Sequence, residues 1–369
     1  MFEFLRDKKI TQKLIDKIAL MSRGRHFKLM HVCGTHEQVI AQFGLRELLP
    51  DNLEIVSGPG CPVCCTPAFE IDWAIELAQR GCLITTFGDM LRVRGKTTSL
   101  LEARSKGAKI KVVYSISDAL KIADNNPAQE VVHCAIGFET TAPTTALVLL
   151  NKAPRNFSII CSHKLIPPAM QALLEDKEVR IDGFIAPGHV STIIGSKPYE
   201  SIATKYKKPV VISGFEPVDI LTSIWLVLKQ IKDNKFSSQI EYRWAVRPNG
   251  NPRAIKAIKK VFDISDVYWR GLGKIPGSGL KLKKRFKKFD AVRKFSLREK
   301  NIFDIPKMCI CDKILKGISY PDECGLFKNT CKPENPIGPC MVSSEGSCNI
   351  YYHYGKRWRL KTKKANLKT

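Results

Sequence analysis

Between residues 27 and 217 one pattern recurs eight times: a short apolar run breaks at Gly, Pro or a polar residue, and an amphipathic stretch follows. The runs are "FKLMHVCGT" (27–35), "LEIVSGPG" (53–60), "CLITTFGD" (82–89), "IKVVYS" (110–115), "VVHCAIGFET" (131–140), "FSIICSH" (157–163), "GFIAPGHV" (183–190) and "PVVISGFEP" (209–217). Strands of that length alternating with helices build βαβ units and therefore parallel sheets. The stretch "HVCGTHE" in the first half has a counterpart in "AIGFETT" in the second, each a strand running into Gly and a helix start. The pattern predicts an α/β protein: two similar doubly wound parallel-sheet domains facing a cleft, followed by a smaller Cys-rich domain. The expected divisions are an N-terminal helix (1–25), a first α/β domain (26–127), a second (128–234) and a C-terminal Cys-rich unit (235–369). A chain of 369 residues is long enough for that number of cores.

No apolar run approaches the roughly 20 residues that span a bilayer; "ILTSIWLVL" (220–228) is among the longest. The N-terminal "MFEFLRDKKITQKLIDKIALM" mixes acids and bases throughout, so it reads as an amphipathic helix and not as a signal peptide. The expectation is a cytoplasmic protein with no membrane contact. Its net charge of +25 is concentrated in two places: 281–300 carries ten bases and two acids, and 356–369 carries seven bases and no acid. Aromatic rings do not interleave with these bases as stacking platforms would require, so a solvated face or a landing strip for an acidic partner is expected in preference to nucleic-acid binding.

The unusual residues sit where strands end, which is where open α/β sheets bind ligands. Cys33 closes the first run, and Thr35, His36 and Glu37 open the next helix. A thiol there faces free backbone N–H groups and the positive end of a helix, which lowers its pKa. His36 lies three residues on, and thiolate with imidazole is a donor pair for iron, copper or zinc. The plainer reading is a small core cysteine beside a capping Thr. Next comes "GPGCPVCC" (58–65), in which Cys61 and Cys64 have the spacing of a redox-active dithiol or of half a zinc site, and Cys65 is out of pattern. Further strand ends supply Asp89, Glu139, Thr140, Thr141 and His189, each of which alone would pass for a cap or a satisfied polar group.

Six of the 13 cysteines crowd into the last part of the chain: Cys309, Cys311, Cys324, Cys331, Cys340 and Cys348. Such clustering suits metal or redox chemistry better than a disulfide framework in a reducing compartment. Cys309, Cys324, Cys331 and Cys348 are separated by 14, 6 and 16 residues among Pro and Gly, with no paired CxxC of a zinc ribbon. That spacing suits a [4Fe-4S] cluster held by loops, with zinc or unligated thiols as the alternative.

Taken together, "CGTHE" (33–37), "GPGCPVC" (58–64), "TFGDMLRV" (86–93), "GFETTAP" (137–143), "PGHVSTIIG" (187–195), "WRGLGKIPGSGL" (269–280) and "PENPIGPCMVSSEGSC" (333–348) resemble the HypD family of hydrogenase maturation factors, block by block and in order. The resemblance implies a scaffold, not a conventional turnover enzyme, on which the Fe(CN)2(CO) group of [NiFe]-hydrogenases is assembled. It further implies work with the small chaperone HypC and with the cyanide donor HypE, itself served by HypF, as one copy of this chain within a hetero-complex. On that pattern Cys33 holds the iron, Cys61 and Cys64 form a thiol/disulfide pair, and Cys309, Cys324, Cys331 and Cys348 hold the cluster. The dithiol would then relay electrons between cluster and iron. The competing expectation is a free-standing iron–sulfur/dithiol oxidoreductase that reduces a protein disulfide. A basic, cluster-bearing nucleic-acid binder is the third.

Overall fold

In the computed structural model, residues 6–151, 153–299 and 305–355 are described. The eight apolar runs all become strands, with three more after them. In chain order these are β1 (Phe27–His31), β2 (Leu53–Ser57), β3 (Leu83–Thr86), β4 (Ile110–Val112), β5 (Val131–Gly137), β6 (Phe157–His163), β7 (Gly183–Pro187), β8 (Val210–Ser213), β9 (Ser238–Ile240), β10 (Phe262–Trp269) and β11 (Gly273–Leu282). Two parallel sheets result, one of five strands in the order β2-β1-β7-β8-β9 and one of four in the order β4-β3-β5-β6.

The sheets do not divide the chain at residue 127/128. The chain starts the five-stranded sheet with β1 and β2, builds the whole four-stranded sheet with β3 to β6, and returns to the first with β7, β8 and β9. Two consecutive runs of similar sequence rhythm predict two consecutive domains. Strand pairing, which periodicity does not report, interleaves them. The unit from 235 onward is also smaller than expected. β9 closes the edge of the five-stranded sheet. "YWRGLGKIPGSGLKL", read as a loop, contains the turn and second strand of the antiparallel β10–β11 hairpin. Gly271 and Gly273 (both φ +78) make its turn. Pro276 and Gly277 sit in the irregular register opposite Asp266, where a missing N–H breaks no ladder bond. The hairpin joins the sheets: Phe262, Leu280 and Leu282 enter the core under one, Trp269 and Ile275 the core under the other.

Each sheet is buried on both faces. Along β5 every residue is buried, with Val132, Cys134 and Ile136 facing one core and Val131 and Ala135 the other. Alternate residues of β1 and β7 divide in the same way, Met30 and Phe184 to one side, Leu29 and Ile185 to the other. The N-terminal helix Lys8–Met21 is capped by Asp7 and lays Leu14, Ile15 and Ile18 against Ile220, Leu221 and Ile224 of the helix Pro217–Lys232. The Cys-rich unit (305–355) has only short helices, and thiols make up much of its core. The basic run 356–369 lies outside the described residues.

Candidate functional site

In each sheet the strand order reverses at one crevice, between β1 and β7 in the larger and between β3 and β5 in the smaller. Loops leaving neighbouring strands diverge at such a point and leave room for a ligand. Cys33 and His189 follow β1 and β7; Asp89 and Glu139 follow β3 and β5.

Cys33 sits in extended backbone (φ −153) at the head of the helix Gly34–Gln42 and is 2% exposed. Burial pushes its thiol up to about 12, against the pull of the Thr35 and His36 backbone N–H groups. The expected lowering by the helix end is therefore overturned, because desolvation of the thiolate outweighs a few dipoles. Such a thiol stays neutral until a cation compensates it. Its imidazole contact is His189, whose Nδ1 lies 3.9 Å from Sγ. His36 is fully buried and donates from Nε2 to the Gly214 carbonyl at 3.0 Å, which leaves Nδ1 a lone pair with no hydrogen-bond partner. Burial lowers His36 to about 3 and His189 to about 4, so both rings are neutral. The Phe215 ring packs against both, at 5.2 and 5.3 Å between centroids.

A buried network fixes the Cys33 backbone. His31 bridges the Cys33 carbonyl (3.1 Å) and the Glu37 carboxylate (2.6 Å). Arg46 grips both Glu37 oxygens at 2.9 and 2.6 Å. Burial alone would raise Glu37, but Arg46 and His31 hold it well below the usual carboxylate range. From the other side, the Gly34 N–H donates to the Gly60 carbonyl, and a Cβ on Gly60 would lie 2.2 Å from the Cys33 nitrogen. The "GPGCP" turn thus needs Gly60 so that it can lie directly on Cys33.

The thiols behind that turn form a file. Cys61 and Cys64 have sulfurs 2.7 Å apart, and so do Cys311 and Cys340. The Cys340 thiol also contacts that of Cys64, and the Cys311 thiol that of Cys309. Burial raises the Cys61 and Cys64 thiols. Beyond Cys309 lie Cys324, Cys331 and Cys348; burial raises the Cys348 thiol, and it is close enough to Cys309, Cys331 and Cys324 to be raised further by their charges. A Cβ on Gly338 would come within 2.7 Å of the Cys309 sulfur, and the Ile337 N–H donates to the Cys331 sulfur at 3.3 Å.

The polar wall is partly assembled. Glu139 is buried and pushed up to about 8 by desolvation; its Oε1 accepts from the Ile166 N–H and its Oε2 has no partner. The Tyr199 hydroxyl lies near enough to feel both Glu139 and Cys33, which connects the two crevices. Thr140 is half-buried beside Glu139. Thr141 lies under Gly137 (φ +151), where a Cβ would meet its hydroxyl. Asp89 faces Glu345, whose backbone oxygen and Cβ lie where a Cβ on Gly34 would fall.

Sequence reasoning did not single out Glu345, Tyr199, His31 or Arg46, and it left Cys311 and Cys340 as extras. The 28 residues between those two cysteines carry no spacing signal. Among the described residues no three His, Cys, Asp or Glu side chains are grouped to hold a single metal ion.

Comparison with known proteins fits these blocks. Residues 9–355 match the model of the HypD family, described as the hydrogenase formation hypA family. The chain belongs to the HypD family of hydrogenase maturation factors. A hydrogenase expression/formation protein of Methanocaldococcus jannaschii is 48% identical over 354 residues, covering 95% of this chain and 98% of that one. The HypD2 maturation factor of Bradyrhizobium diazoefficiens is 44% identical, covering 95% and 96% of the two chains. The HypD of Cupriavidus necator is 43% identical, covering 96% and 97%. The match to the HypD family takes in both crevices, the hairpin and the Cys-rich unit. No described helix is long and apolar enough to cross a membrane.

Proposed function

We propose that this hydrogenase maturation factor is the scaffold on which an Fe(CN)2(CO) group is built, with Cys33 as its anchor and the cysteine file as its electron supply. The observation that carries the reading is the unbroken run of thiol contacts from Cys309 through Cys311, Cys340 and Cys64 to Cys61, next to the turn that lies on Cys33.

Iron is the cargo. A neutral, water-excluded thiol with the neutral His189 imidazole 3.9 Å from its sulfur suits it, since the cation supplies the charge that lets Cys33 deprotonate. His189 stands at the sulfur as a neutral donor. His36, with its Nδ1 lone pair free, is a second donor. The small chaperone HypC would complete the coordination, and HypE would deliver cyanide. The work lies in cytoplasmic assembly, and the chain acts as a single copy in that complex.

Cys309, Cys324, Cys331 and Cys348 would hold a [4Fe-4S] cluster. Their mutual proximity, their burial and the room that Gly338 leaves at the Cys309 sulfur fit that group. Four thiolates are the donor set that such a cluster would take. When bound, it supplies electrons singly. The rest is thiol exchange. With Cys61–Cys64 oxidised and Cys311/Cys340 reduced, the Cys340 thiolate attacks the Cys64 sulfur and Cys61 leaves as thiolate. The Cys311 thiolate then attacks Cys340 and frees Cys64. The Cys311–Cys340 disulfide forms, the Cys61–Cys64 disulfide is gone, and two electrons and two protons have moved.

The test is an infrared spectrum of the protein purified without oxygen after co-expression with its chaperone and cyanide-delivery partners. Cyanide and carbonyl stretches that disappear in Cys33→Ala, with the iron–sulfur absorbance intact, are expected. A silent wild-type spectrum, with the cluster full and all partners bound, overturns the scaffold and leaves a dithiol reductase.

A further inference from the structure

The basic segment 281–300 is not a loose tail. Phe286, Phe289, Ala291 and Leu297 are buried in the cores around the four-stranded sheet, and Ile159 of β6 bridges to Asp290. Pinned in this way, the turn Lys284–Phe289 and the short helix Ala291–Lys294 hold their bases over a surface concavity of about 680 Å³. Its lining is Arg155, Lys287, Lys288, Phe289, Arg293 and Lys294. The concavity opens beside the first residues of β6, at the end of the sheet away from the Glu139 crevice.

Five cations share this hollow, and two carboxylates answer them: Glu130 pairs with Lys294, and Asp290 lies near enough to Arg293 to feel its charge. Among the described residues no ion pair engages Arg155, Lys287, Lys288 or Arg293. Gathering like charges on ordered backbone costs free energy through mutual repulsion, and a bound anion recovers it. The chemistry of the hollow narrows the anion. The amides at the head of the helix Ala291–Lys294 are already taken by the Asp290 carboxylate, so no backbone cradle for phosphate is left. Phe289 is 3% exposed, so no ring is offered to a base. What remains is a set of long, independent side-chain cations spread across an open hollow, which matches carboxylates spaced along a chain.

We infer that this hollow docks an acidic segment, rich in Asp and Glu, of a partner protein. It lies apart from the iron site and fixes the partner's position through charge. Exposed charge pairs contribute little singly, and several together set association rate and orientation more than raw affinity.

The experiment is fluorescence anisotropy with the full chain and a labelled octaglutamate peptide, at low and at physiological salt. Binding should weaken as salt rises. The variant Lys287→Glu/Lys288→Glu/Arg293→Glu should bind about tenfold more weakly or worse. The variant Lys8→Glu/Lys9→Glu/Lys13→Glu changes the net charge equally on the distant N-terminal helix and should stay within about twofold. Neutral Lys287→Gln/Lys288→Gln/Arg293→Gln should fall between, and it guards against misfolding of the reversed variant. Equal losses in the two charge-reversed variants would show a general charge effect and overturn the site. So would stronger displacement of the peptide by tripolyphosphate or by a single-stranded oligonucleotide than by unlabelled octaglutamate.

Discussion

Two regions of this molecule collect buried sulfur, and they are built in opposite ways. Cys33 stands at the end of a strand in the middle of a five-stranded sheet, paired on one side with β2 and on the other with β7. Its backbone is clamped by His31 and by the turn at Gly60. The four-cysteine group has no sheet beneath it. Its unit contains short helices and isolated bridges, such as Phe327 with Cys331, and its apolar core is largely thiols with Phe327, Met341 and Tyr351. In the first region the fold itself holds the thiol in place. In the second, a bound group would replace the apolar area that a small core lacks.

The largest effect follows from that contrast. Stripping iron with a chelator, or the change Cys324→Ser, should open the Cys-rich unit while both sheets stay folded. Limited proteolysis should cut within 305–355 first, and the far-UV circular dichroism from the sheets and their helices should change little. Cys33→Ala should leave the proteolysis pattern as it is in wild type. If iron removal melts the sheets in the same transition, the two regions are one cooperative unit and the comparison fails.

Next in size is the connection between the regions. Cys340 meets Cys311 at 2.7 Å and also interacts with the Cys64 thiol. In Cys340→Ser the four-cysteine group and Cys33 are untouched, yet the file is cut. The Cys61–Cys64 disulfide should then be reduced at least about tenfold more slowly by a one-electron donor, read by thiol trapping, while small dithiols still reduce it at the wild-type rate. An unchanged rate with the one-electron donor would mean that electrons bypass Cys311 and Cys340.

The same contrast explains what the sequence disclosed. The eight strands of 27–217 were legible because the central strands of each sheet are buried on both faces, which makes them nearly continuous apolar runs. The residues at their ends, Cys33, Asp89, Glu139 and His189, were legible because a parallel sheet puts its functional loops there. Strand order was not, since the rhythm of β1 to β4 is the same whether β7 joins β1 or stays apart. The approach of His189 to Cys33 was hidden for the same reason. His36 is near in sequence, whereas His189 arrives through the β1–β7 pairing. In the Cys-rich unit, cysteine count and spacing pointed to a site. The meeting of Cys311 with Cys340 depends on loop paths that carry no periodicity, so neither was assigned a role.

The smallest effect concerns the second crevice, where the fold tolerates a buried carboxyl without a cation. Desolvation raises Glu139 from 4.5 to about 8. An acid whose folded pKa is raised favours the fold while it is protonated. That contribution is complete below about pH 4.5 and declines as pH rises toward 8, because the unfolded chain ionises first. Glu139→Gln keeps the shape and removes the titration. The variant should match wild type in denaturant midpoint near pH 4 and exceed it by pH 8, with a difference of roughly 1–3 kcal/mol after relaxation of the site. A wild-type/variant gap that is flat across that range would place a cation or a water path at the free Oε2. The Glu139 crevice would then be charged in use, and the contrast with the self-compensating Glu37–Arg46 clamp under Cys33 would disappear.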